Sequence, residues 1–146
     1  MKCAEMIEIE TDAEPATSTV RFPAGILGFE RIKEYTLLAN PAEAPFAWLQ
    51  VADNATLAFV VVDPFVAMPE YQPDIPQADV EFLGLHGSDD ALLLAIVTIA
   101  GSKGATVNLK GPIVINRHTH TGKQVIITNA GDYSVQHPLP VADGNA

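Results

Sequence analysis

Three consecutive β-branched residues, Ile113, Val114 and Ile115, constrain this chain more than any other feature. Successive side chains of a strand point to opposite faces, so such a run must be covered on both sides. A closed barrel provides that cover, and so does a sheet with a second layer packed on it. The run belongs to a longer stretch, residues 106–116, followed by polar residues 117–123 and by Gln124 with the apolar residues 125–127. Apolar runs flanking a polar segment with a glycine, Gly122, predict a hairpin whose loop exceeds two residues.

The remaining pattern is also that of strands. Met6, Ile7 and Ile9 alternate with Glu5, Glu8 and Glu10, which predicts a strand over 4–10 that turns at 12–15 and returns over 18–22. Pro23, Gly25 and Gly28 break regular structure, while Ile26, Leu27 and Phe29 between and after them are apolar enough to plug one end of a core. A single helical turn is expected over 30–33. Further strands are expected at Glu34–Ala39, Phe46–Val51, residues 57–62 and Ala91–Ile99. Residues 65–76 carry Phe65, Val66, Met68 and Tyr71 among prolines, which predicts an extended loop and no regular helix. Pro76 suits the start of a short helix, Gln77–Leu83, and Gly84 its end. Residues 128–132 form a turn, residues 133–139 dock back, and residues 141–146 fray. The fold class expected is mainly β: a small antiparallel barrel-like domain, residues 1–140, of about nine short strands with one or two short helices.

Composition narrows the function classes. Eight basic residues against 18 acidic ones give a net charge of −10. Such a surface repels RNA, DNA and anionic membranes and favours a basic partner, although acidity also serves solubility alone. No apolar run reaches the roughly 18 residues of a membrane span. The N-terminus does not read as a signal peptide, and the lone cysteine, Cys3, fits a reducing cytoplasm.

Four motifs then agree in order and spacing with one family. Asn108-Leu109-Lys110-Gly111-Pro112-Ile113-Val114-Ile115-Asn116, followed by Gly122-Lys123-Gln124-Val125, resembles the signature of the bacterial flagellar assembly factor FliW. Residues 22–30 (FPAGILGFE), 46–65 (FAWLQ leading to LAFVVVDPF) and 133–139 (YSVQHPL) resemble that family's early, middle and end motifs. The resemblance spans residues 4–139. Two positions depart from it: Gln136 stands where a basic residue is common, and Gly111 where a larger one is. The resemblance implies a β-barrel-like fold and a non-enzymatic regulatory role. FliW-like proteins bind CsrA, a small basic RNA-binding translational repressor, and antagonise it allosterically. They also bind flagellin, so flagellin synthesis is coupled to export.

The chemistry-bearing residues leave several readings open. His118 and His120 form a His-x-His pair that could hold a metal, but two ligands are too few and a solvated pair is the alternative. Ser88, Ser102 and Ser134 lack a nucleophile-elbow context. Gly101-Ser102-Lys103-Gly104 lacks phosphate-loop spacing. No cofactor, metal or catalytic residue is expected. Phe65, Met68 and Tyr71 are candidate partner contacts, or alternatively a lid on the barrel end. Within the signature, Asn108, Lys110 and Asn116 are polar candidates of the same kind, with turn-shaping or an internal ion pair as the structural alternatives. A small-molecule-binding barrel, with apolar strands lining a cavity, is the alternative function. A metal hydrolase using the histidine pair is a third.

Overall fold

A computed structural model describes residues 16–54, 56–99 and 104–139. The expected strand over 4–10, the turn at 12–15, Cys3 and the tail 141–146 lie outside the described residues. Among the described ones, nine strands form one sheet: β1 Ala16–Arg21, β2 Glu34–Ala39, β3 Phe46–Val51, β4 Ala58–Val62, β5 Ala91–Ile99, β6 Ala105–Val107, β7 Ile113–Asn116, β8 Thr121–Gln124 and β9 His137–Leu139. Two short helices, α1 Pro64–Ala67 and α2 Gln77–Leu83, interrupt the run between β4 and β5.

Pairing runs β4-β3-β2-β1-β8-β7-β5, and β5 returns to β4. Seven strands thereby close into a barrel, which removes most exposed strand edges. The length of β5 makes closure possible. Its first half pairs with β7 from Ala91 to Leu94, its middle with β4 through Ala95–Val97, and its end with β6 through Val97–Ile99. β9 then pairs with β6, so β6 and β9 form a flap off the barrel wall. Every pairing is antiparallel but one, a parallel contact between Arg21 of β1 and Thr121 of β8.

The alternation of side chains sorts the apolar residues into two cores. One fills the barrel: Val20, Tyr35, Leu37, Leu49, Val61, Leu92, Leu94, Ile113 and Ile115 come from β1 to β5 and β7. The other lies on the outside of β5 and β7. There Leu93, Ala95 and Val114 pack with Ala67 of α1, Tyr71, Leu83 of α2, Val107, Leu109 and Leu139. Ile113, Val114 and Ile115 are 0%, 0% and 2% exposed, so the run that demanded two-sided cover has it.

Five local expectations are corrected. The hairpin's return strand is Thr121–Gln124 and not residues 124–127, because the turn at 117–120 is tight: His120 donates from its backbone N to Asn116 O at 2.8 Å. Residues 106–116 are not one strand, since β6 ends at Val107 and β7 begins at Ile113. Residues 65–76 do contain a helix, α1, although one of only four residues. Pro64 occupies its first turn, where no N–H is needed, and the Asp63 carboxylate caps Phe65 N at 2.9 Å. Residues 30–33 make a turn, not a helical one. Of the three plug residues, Ile26 is buried and Phe29 stacks edge-on against Phe59 at 5.1 Å, but Leu27 is 60% exposed. Gly25 enforces that loop: its φ is +74°, and a Cβ would stand 2.4 Å from the Glu30 Cα.

Candidate functional site

The outer layer is held by polar locks. The Tyr71 hydroxyl donates to the Leu109 carbonyl at 2.6 Å, and the ring meets Tyr133 edge-on at 4.9 Å and Phe65 at 6.0 Å. Burial, then the neighbouring Tyr133, pushes the Tyr71 phenol well above its usual range. Residues 72–74 are clamped from the other side. Gln72 N donates to Tyr133 Oη (3.1 Å), Asp74 N to Asn129 Oδ1 (2.8 Å), Asn129 Nδ2 to Gln72 O (2.9 Å) and Thr128 N to Asp74 O (2.8 Å). A proline-rich segment unable to join a ladder is thus fixed by side-chain amides and a phenol. α2 follows, ended by Gly84 at φ +68° with the Schellman bonds Gly84 N to Glu81 O and Leu85 N to Val80 O.

The signature loop is similarly built inward. Asn108 Oδ1 accepts from both Lys110 N and Gly111 N at 3.0 Å. Gln124 Nε2 donates to Gly111 O at 3.0 Å, and its Oε1 accepts from Leu27 N. A Cβ at Gly111 would lie 3.2 Å from Gln124 Nε2, so the departure at this position matches tight local packing.

Phe65, Met68, Tyr71, Asn108 and Lys110 therefore share one neighbourhood, linked through Leu109. Tyr71 is 2% exposed, with its hydroxyl taken; Phe65 and Met68 are half-buried. Asn116 stands elsewhere, at the far end of β7. It is 3% exposed, donates to Leu83 O at 2.8 Å and accepts from His118 N and Thr119 N. It ties the hairpin turn to the end of α2.

Between α1, α2 and β5 lies an apolar groove of about 450 Å³ whose walls include Phe65, Ile75, Val80, Leu85 and Leu93. No local pattern announces it, because its walls are scattered over residues 65–93 and only the fold assembles them. The chain around it is wholly acidic in its strong charges. Between Lys33 and Lys103 there is no Lys or Arg, while Glu34, Glu43, Asp53, Asp63, Glu70, Asp74, Asp79, Glu81, Asp89 and Asp90 are present. Two of these acids meet a Lys or His side chain, while Asp63, Glu43 and Glu81 accept from Phe65 N, Trp48 Nε1 and Gln77 Nε2. Lys123 Nζ meets Asp79 at 2.9 Å, and His118 Nε2 meets Asp90 at 2.9 Å. The Asp90 carboxyl also accepts from His86 N, and this bond first, then His118, holds it below the usual carboxylate range. Asp90 is thus an acid partner for His118 that the linear sequence hides. No group of three or more His, Cys, Asp or Glu able to hold a metal occurs among the described residues.

The model of the FliW protein family matches residues 2–139. The chain belongs to the FliW family. The flagellar assembly factor FliW of Leptospira biflexa is 42% identical over 109 residues, which are 73% of this chain and 71% of that relative. That of Natranaerobius thermophilus is 37% identical over 134 residues, 90% and 86% of the two chains. A crystal structure of the flagellar assembly factor FliW superposes with a TM-score of 0.75 at 40% identity, covering 83% of this chain and 84% of the other. The FliW relatives bear out the barrel fold and the association with flagellum assembly. No helix among the described residues is long and apolar enough to cross a membrane.

Proposed function

We propose that this FliW-family chain is a non-enzymatic cytoplasmic regulator. It binds the basic RNA-binding repressor CsrA and antagonises it away from the RNA groove, and it binds flagellin in exchange. Flagellin that accumulates removes the factor and frees the repressor, so translation follows export. The observation that supports this reading is the charge layout: ten acids and no Lys or Arg from residue 34 to residue 102. A docked body of this sign places a repulsive field beside the repressor's phosphate ligand, acting over about 8–10 Å in physiological salt. Phe65, Met68, Tyr71, Asn108, Lys110 and Asn116 are the proposed partner contacts, of which Tyr71 and Asn116 are buried and hydrogen-bonded within the chain.

The test is calorimetric titration with CsrA and, separately, with flagellin of the same organism. Micromolar or tighter binding to both is expected. Binding to flagellin alone would leave an export chaperone with no translational role, and silence with both would sink the reading. The electrostatic account further requires that raising salt relieve inhibition of RNA binding at matched occupancy. The alternative, a small-molecule barrel, loses its proposed cavity, because Tyr35, Leu49, Val61 and Ile113 fill the interior at 0% exposure. The outer groove offers such a ligand an apolar site instead.

A further inference from the structure

The groove's walls and its charges are interleaved along the chain. Asp74 lies between the wall residues Pro73 and Ile75. Asp79 and Glu81 flank Val80, and Asp89 and Asp90 lie between Ser88 and Ala91. The stretches 73–75, 79–81 and 88–91 that supply apolar walls therefore each carry carboxylates next to a wall residue in the chain. Asp79 and Asp90 are met by Lys123 and His118, and His86 is itself a wall residue, while Asp74, Glu81 and Asp89 are exposed. The volume, about 450 Å³, falls within the roughly 300–1,000 Å³ typical of ligand sites.

We propose that this acid-rimmed groove seats a basic protein segment: an apolar side chain of the partner enters between Phe65, Val80 and Leu85, and its Lys or Arg side chains meet Asp74, Glu81 and Asp89. The inference rests on the partner reading above and narrows it to one surface. Charge selects the occupant. A nucleic acid or an anionic membrane meets carboxylates at the rim, and a second copy of this chain would set two acidic rims face to face. A basic segment gains the burial of its apolar group together with complementary charge that speeds encounter. A second exposed apolar depression, lined by Trp48, Val60 and Ile99, offers no such selection. Its one charged wall residue, Glu43, already accepts from Trp48 Nε1 at 3.1 Å.

The experiment titrates CsrA into the full chain and three variants whose folding is checked by thermal melts. The first reverses the rim (Asp74→Lys, Glu81→Lys, Asp89→Lys). The second fills the groove at an exposed wall position (Ser88→Trp). The third makes the same charge change at the barrel end and the Trp48 depression (Glu34→Lys, Glu43→Lys, Asp53→Lys). The rim and filler variants should each weaken Kd by about tenfold or more, with the third variant much less affected. Equal weakening by the two charge variants, with the filler silent, would reduce the effect to net charge and overturn the groove. Weakening by the filler alone would overturn the basic character of the occupant. Parent-like binding by the rim and filler variants would remove the groove while leaving CsrA binding intact. Failure of the parent chain to bind CsrA would instead sink the partner reading itself.

Discussion

The two faces of the sheet bury a tyrosine in opposite ways. Tyr35, inside the barrel, is 0% exposed, packs edge-on against Phe22 at 5.2 Å, and its hydroxyl has no partner among the described residues. Tyr71, in the outer layer, is 2% exposed and spends its hydroxyl on a main-chain carbonyl 38 residues away. The barrel interior is held by apolar contact between strands already paired to one another, and there a hydroxyl is incidental. The segment between α1 and α2 in the outer layer has no ladder of its own. This proline-rich segment stays in place through individual polar bonds, and those bonds shape the groove. The comparison teaches that the barrel holds itself together through paired strands, whereas the layer fastened to it depends on individual polar bonds between distant segments.

The largest expected effect breaks the scaffold. Leu49→Ala, at a position with 0% exposure, should cost about 2–5 kcal/mol in urea unfolding, because it leaves a cavity among residues that cannot close over it. Next comes the lock. Tyr71→Phe leaves the Leu109 carbonyl without its donor and should cost about 1–3 kcal/mol, with faster amide exchange concentrated in residues 68–75. Tyr35→Phe sharpens the contrast from the other side. It should fall within about 0.5 kcal/mol of the parent or stabilise it, since no bond is lost. A loss as large as that of Tyr71→Phe would refute the distinction between the faces.

Two pH effects extend the comparison. Tyr71 has a raised phenol, so the folded state holds a proton that the unfolded chain gives up near its usual value of 10.0. Its contribution is fully present below pH 10 and declines as pH rises above it, and Tyr71→Phe should flatten that alkaline slope. Asp90 is depressed below its usual 3.8, so the stability it draws from His86 and His118 is fully present above that value and is lost as pH falls below it through the lower folded-state value. Carbon-13 resonances of Asp90 and proton resonances of His118, followed together from pH 6 to pH 2, would report it. The smallest effect is Lys123→Ala, below about 1 kcal/mol, because the Asp79 pair is partly solvated.

These regions also differ in how well the sequence announced them. Strands β2, β3 and β5 and helix α2 were readable to the residue, because β-branched alternation, Pro76 and Gly84 are local signals. β8, Thr-Gly-Lys-Gln, carries no such signal. It is a strand because β7 offers it a ladder and because Gly122 lets Phe22 approach, where a Cβ would stand 2.9 Å from the ring. The site was half legible. Aromatic residues among prolines marked 65–71 as unusual, but the burial of Tyr71 depends on Leu109, the tie of Asn116 on Leu83, and the pairing of His118 on Asp90. Such contacts between distant segments leave no periodic trace in a single sequence.

Amide hydrogen exchange of the chain alone and saturated with CsrA tests the division of labour most directly. New protection in residues 64–93 and in the signature loop 108–111, with the exchange of β1 to β3 unchanged, is the expected result. Protection appearing instead at the barrel end around residues 31–34 and 52–53, with the groove segment unaffected, would contradict it.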